Sequence, residues 1–210
     1  MVSNSTTLSL SDRLRLAQLG DPESLGILLS NCNNYMKVLS QGKLDTRVRS
    51  RVSASDVVQE SLLEAHRDFS KFTGNSLAEF TGWLRAILLN NISRTVEVHL
   101  LAAKRDVRRE RSLDAVSEGF NQSHSRLEFL LSDHRSSPSA HAVQHESLMQ
   151  MADAIAHLPP PYNEVIVLRH IEGLPFDLVA QRLGRTVGAT RMLWMRAIGR
   201  LRDAMEITKS

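Results

Sequence analysis

Apolar residues recur along this chain at helical spacing, and no run alternates in the β-branched manner of a strand. Leu10, Leu14, Leu16 and Ala17 predict a first helix that stops near Gly20, and Pro22-Glu23-Ser24 opens a second that runs to about Leu39. Ser40-Gln41-Gly42 breaks that pattern. After a basic loop over 43–51, Ser53 or Ser55 is placed to cap a third helix, on which Val58, Leu62, Ala65 and Phe69 form one face. A polar break, Thr73-Gly74-Asn75-Ser76, precedes a fourth helical run from about Leu77 to Leu101.

Between Ser112 and Pro138 the serines, His124, His134 and Gly119 leave no sustained period beyond a turn or two in RLEFLLS, which predicts a linker. The pattern resumes at Ser139, an N-cap candidate, with Leu148, Met151, Ala152 and Ile155 as its buried stripe. Pro159-Pro160-Pro161 ends it and starts a run in which Val165, Leu168 and Ile171 face inward before Gly173. Pro175 then begins a short helix with Phe176, Val179, Ala180 and Leu183 toward the core. Gly184 permits the left-handed turn that stops it, and Thr186 caps a last helix whose Thr190, Trp194, Ala197 and Leu201 share a face. The expected fold is all-α, with two small helical domains joined by a flexible linker and a helix-turn-helix in the second. The expected boundaries are 1–111, 112–138 and 139–210.

The net charge of +3 matters because it is concentrated: five basic residues lie between Lys104 and Arg111, and five arginines with no acid between Arg185 and Arg202. Such patches suit a polyanion. In a helix-turn-helix the start of the second helix enters the major groove. Val187, Gly188, Ala189 and Arg191 are therefore expected at base edges, and later arginines at phosphates. Cys32 is the lone cysteine, so neither an intrachain disulfide nor a cysteine-built zinc site is expected. His141 and His145 lie four apart, but no third histidine or cysteine completes a set, and no metal or other cofactor is expected. No phosphate-binding, dinucleotide-binding, zinc-protease or serine-elbow motif occurs, which argues against an enzyme and leaves no catalytic residue to name. MVSNSTTLSLSDRLRL lacks the build of a leader, and no stretch approaches the length of a membrane span. A cytoplasmic protein without membrane insertion is expected.

A second pattern sharpens the first. The segment DVVQESLLEAHRDFSKFTGNSLAEFTGWLRAILLNN over 56–91, AKRDVRRERSLD, and LPPPYNEVIVLRHIEG leading into the helix-turn-helix together resemble the extracytoplasmic-function (ECF) sigma factors of bacterial RNA polymerase, over about residues 8 to 205. The resemblance implies binding to core RNA polymerase and promoter-specific initiation. The first domain would read the melted minus-10 element and the second the duplex minus-35 element, with an anti-sigma factor as a further partner the family allows. It assigns Asp56, Gln59 and Glu60 to polymerase docking. It assigns Asn90, with its neighbours Asn91 and Arg94, to an extruded minus-10 base, and Lys104, Arg105, Arg108 and Arg109 to the strand backbone. At the minus-35 element it implies Arg185, Thr186, Val187, Gly188, Ala189, Arg191, Met195, Arg196 and Arg200.

Trp83 and Trp194 fall in apolar stripes and are expected in the core. Leu193, Met195 and Ile198 depart from the polar or basic residues the family carries in its recognition helix, adding apolar surface suited to thymine methyls or to another protein. The interval between the domains is too short for the intermediate domain of housekeeping sigma factors. The alternative reading is a helix-turn-helix regulator that acts without binding polymerase core.

Overall fold

Local capping signals set where the helices begin. In this computed structural model, which describes residues 8–41, 53–98, 108–133 and 141–207, every regular element among the described residues is helical. Ser9 caps α1 (Leu10–Gln18) by accepting the Asp12 N–H, and the chain turns at Gly20 into α2 (Pro22–Gln41), where the Asp21 carboxylate accepts the Ser24 N–H. Of the two candidate caps for the third helix, Ser53 takes the role, accepting the Asp56 N–H at the start of α3 (Ala54–Asp68). Ser76 and Glu79 form a reciprocal capping box at the head of α4 (Leu77–Val96). Beyond α5 (Arg108–Asp133) come α6 (His141–His157) and α7 (Pro160–Ile166), which continues as a wider π-type turn over Val167–Ile171. Then follow α8 (Phe176–Leu183) and α9 (Val187–Ile207).

The core forms around α2, which packs against α1, α3, α4, α5 and α6. Its Leu28, Cys32, Tyr35, Met36 and Leu39 are essentially inaccessible to solvent. The α3–α4 hairpin is closed at its turn by Phe69, Phe72, Phe80 and Trp83, whose ring centroids lie 5.4–6.4 Å apart in edge-on, tilted and stacked pairs. Phe80 is fully buried, whereas Trp83 is half-buried at the edge of that group, shallower than expected. The predicted stripe of α6, Leu148, Met151, Ala152 and Ile155, is buried as expected, as are Val165, Leu168 and Ile171.

The expected linker is where the structure departs most from the sequence reading. Its described part, up to Asp133, is helix α5, and the helix buries Phe120, Ser123, His124, Leu127, Leu130 and Leu131 along one face. Two polar residues occupy stripe positions there, which hid the period, and each is paired. Ser123 Oγ donates to the Ile171 carbonyl at 3.1 Å, and Tyr35 Oη meets His124 Nδ1 at 3.1 Å. Burial holds the His124 imidazole down to about 4, with the Arg85 and His145 charges acting in the same direction. Arg126 Nη1 donates to the Glu172 carbonyl at 3.0 Å, and its guanidinium lies across Gly173. Gly173 has φ 74°, which favours glycine, and a Cβ there would sit 2.3 Å from Arg126 Cζ and displace the end of that side chain. The basic loop over 43–51, the expected helix end at Leu101 and the Ser139 cap lie outside the described residues.

Candidate functional site

The first group of candidate residues lies on α3 and α4. Val57, Val58, Ser61 and Ala65 turn one side of α3 inward, which leaves Asp56, Gln59 and Glu60 exposed on the other. One turn further on, Leu63 is 72% exposed on the same side. The two helices are tied by a polar network that starts at Asn91. Its Nδ2 donates to Ser61 Oγ at 3.1 Å and to Glu64 Oε2 at 2.9 Å, while Ser61 Oγ donates onward to the Val57 carbonyl at 2.7 Å. Arg94 Nη2 donates both to Asn91 Oδ1 and to Glu60 Oε1, the latter at 2.6 Å.

This corrects one assignment. Asn91 is 2% exposed and its amide is fully engaged within the protein, so it braces α4 on α3 and does not face a strand. Asn90, one residue back and about 100° around the helix, is exposed. Arg94 is exposed too, but it bridges Glu60 of the docking group to α4. Lys104 and Arg105 fall outside the described residues, as do the side chains of Arg108 and Arg109.

The second group is the helix-turn-helix. Gly184 ends α8 in the left-handed region at φ 62°. The Arg185 and Gly184 N–H groups return to the Ala180 and Gln181 carbonyls, satisfying the end of the helix. Thr186 Oγ1 accepts the Ala189 N–H at 3.2 Å, the expected cap of α9. Thr190, Ala197 and Leu201 anchor α9, and Trp194, half-buried, donates through Nε1 to His170 Nε2 at 2.8 Å with the two rings stacked. Phe176 meets the Trp194 ring edge-on, and the guanidinium groups of Arg169 and Arg191 lie 4.9 and 5.6 Å from its centroid. Phe176 therefore lies half-buried between cations, and not in the core.

Arg185, Thr186, Val187, Gly188, Ala189, Arg191, Met195, Arg196 and Arg200 are all exposed. Of the three apolar departures on this helix, Ile198 is buried and Leu193 half-buried, so only Met195 adds surface. The sequence reading missed Met192, 51% exposed beside Met195 at 59%. Their spacing of three was the available signal, since residues three apart on a helix share a side. The Cys32 thiol, buried and pushed up to about 12, offers no nucleophile. Among the described residues no cluster could hold a metal ion, and no helix is long and apolar enough to cross a membrane.

Residues 148–201 match the family described as Sigma-70, region 4, which covers the helix-turn-helix. The ECF RNA polymerase sigma-E factor of Haemophilus influenzae is 29% identical over 86% of this chain and 86% of its own length. The RNA polymerase sigma-H factor of Pseudomonas aeruginosa is 28% identical over 86% of this chain and 85% of its own length. A solved structure titled as an RsbN–BldN complex aligns with 90% of this chain and 96% of that chain at 21% identity, with a TM-score of 0.31.

Proposed function

We propose that this chain, which belongs to the extracytoplasmic-function sigma factors, works by binding core RNA polymerase through its N-terminal helices and presenting two separate readers to promoter DNA. The observation that carries this reading is α9: every residue expected at the minus-35 element is exposed on it or on the turn before it, capped and braced as a helix-turn-helix.

The division of labour follows from the faces left open. Asp56, Gln59 and Glu60 make the acidic, polar side of α3 that docks on polymerase. Asn90 meets an extruded minus-10 base, held in place by the packing of Leu84, Ile87 and Leu88 on its own helix. Arg94 serves first as the brace to Glu60, and Arg108 and Arg109 with Lys104 and Arg105 hold the strand backbone. In domain terms, residues 1–111 carry docking and minus-10 reading and 139–210 read the minus-35 element, while 112–138 join them through the packed α5 helix, which is tied to both Tyr35 and Ile171. The chemistry of RNA synthesis stays with polymerase, the chain acts in the cytoplasm where its polymerase is, and an anti-sigma factor is its natural regulator.

The test is capture of core polymerase by the full chain, followed by run-off transcription from genomic promoter fragments. Promoter-specific transcripts are expected. Failure to bind core, together with tight binding of the free chain to a palindromic duplex, would overturn the proposal in favour of an independent regulator.

A further inference from the structure

Resting on the reading of α9 as a duplex-DNA reader, the geometry points to Met192 and Met195 as the residues that set its sequence preference, by packing on thymine 5-methyl groups. On a helix of 3.6 residues per turn, Gly188, Met192, Met195 and Gly199 fall within about 60° of one another. All four are exposed, so they form one line along the outer side of α9. Arg191 lies about 70° to one side of that line and Arg196 about 70° to the other, with Arg200 beyond it.

Cations on both flanks suit the two phosphate rows that border a major groove, and this fixes which side of the helix faces the bases. The base-facing line carries no side-chain donor, and its only acceptors are weak thioether sulfurs. It makes no strong pair with the hydrogen-bonding edges of guanine, adenine or cytosine, and the distinguishing major-groove feature that suits an apolar side chain is the methyl of thymine.

The two glycines support a close approach. A Cβ added at Gly188 or at Gly199 would meet nothing within 4 Å in the protein. Glycine is a poorer helix residue than alanine, so at Gly199, inside α9, the fold itself gains nothing from it. What it provides is a helix surface without side-chain bulk, so that the flexible thioethers between the glycines can settle on the groove floor.

The experiment uses holoenzyme assembled from the full chain and core polymerase. Promoter fragments randomised across the upstream element are selected for binding, and the selected sites are rebuilt with deoxyuridine replacing each thymidine in turn. At one or two positions, loss of the methyl is expected to lower binding about fourfold per methyl buried. Met192→Ala and Met195→Ala are expected to abolish that difference while keeping the wild-type melting curve. Met195→Leu is expected to retain it, and Arg196→Ala to weaken all templates alike with the difference intact. Equal binding of thymidine and deoxyuridine templates by the wild type overturns the inference, as does a difference that survives in both alanine variants. Loss of core binding in those variants overturns it too, since the methionines would then face protein. A holoenzyme that enriches no site at all removes the functional reading as well, and is distinguishable on that ground.

Discussion

Adjacent asparagines on α4 should separate stability from function. Asn91→Ala removes the two hydrogen bonds donated to Ser61 and Glu64 and the one accepted from Arg94, all within a network that closes α4 on α3. The bond to Ser61 is buried and neutral, worth about 1 kcal/mol, and the two involving charged partners add about 1.5–3 kcal/mol each before water recovers part of their loss at the exposed edge. A net destabilisation of about 2–4 kcal/mol follows, which for a chain of this size lowers the melting temperature by roughly 4–16 °C. Asn90→Ala touches no such network and should stay within about 0.5 kcal/mol of wild type. The assay is a thermal melt of each purified variant beside open-complex formation by its holoenzyme, followed by permanganate reactivity of unpaired thymines. Asn90→Ala is expected to melt normally and open promoters poorly. Asn91→Ala is expected to melt early and, at a temperature where it is folded, to open promoters nearly as well as wild type. A normal melt with lost opening for Asn91→Ala would refute the buried-brace assignment.

Three further outcomes follow from the same structure. Asp56→Lys should abolish core binding with an unchanged circular dichroism spectrum, whereas Glu60→Lys should also loosen α3 from α4 because it sets two cations together at Arg94; core affinity and urea midpoint distinguish them. Arg191→Ala, Arg196→Ala and Arg200→Ala should weaken holoenzyme binding to all upstream sequences alike and each reduce the salt slope by about 0.9; a changed base preference in Arg191→Ala would show that it reads bases from its flank. His124 titrates at about 4 in the native state against 6.5 in the open chain, so the native state binds fewer protons between those values. Stability present above pH 6.5 is lost as pH falls toward 4, by about 3 kcal/mol in all, and His124→Gln should flatten that acid arm in urea titrations.

What could be read from the residues alone was what is decided within a few positions. Pro175, Gly184 and Thr186 specify a helix start, a left-handed stop and a cap by local chemistry, and the helix-turn-helix follows directly. The α5 helix was illegible for the opposite reason. Its Ser123 and His124 have local partners at Gly119 and Glu128, but they sit in a buried stripe because Ile171 and Tyr35 meet them from 48 and 89 positions away. The same holds for Asn91, whose partners lie on α3, so that two identical neighbours looked interchangeable. Ile198 was misjudged although its position was readable, four residues beyond Trp194 on the packed side of α9.

The brace between α5 and the turn at Ile171 also orders events during synthesis. The face of α5 that carries Phe120, Leu127, Leu130 and Leu131 leaves the ribosome before the carbonyl that receives Ser123, which follows 48 residues later. At translation rates of about 5–20 residues per second, that is an interval of roughly 2–10 seconds. During it the upstream helices can already pack together and take up the His124 side of α5 through Tyr35, while the part of the stripe that later meets the Ile171 turn stays uncovered. Nascent chains stalled within that window should therefore be the ones that chaperones and proteases find first.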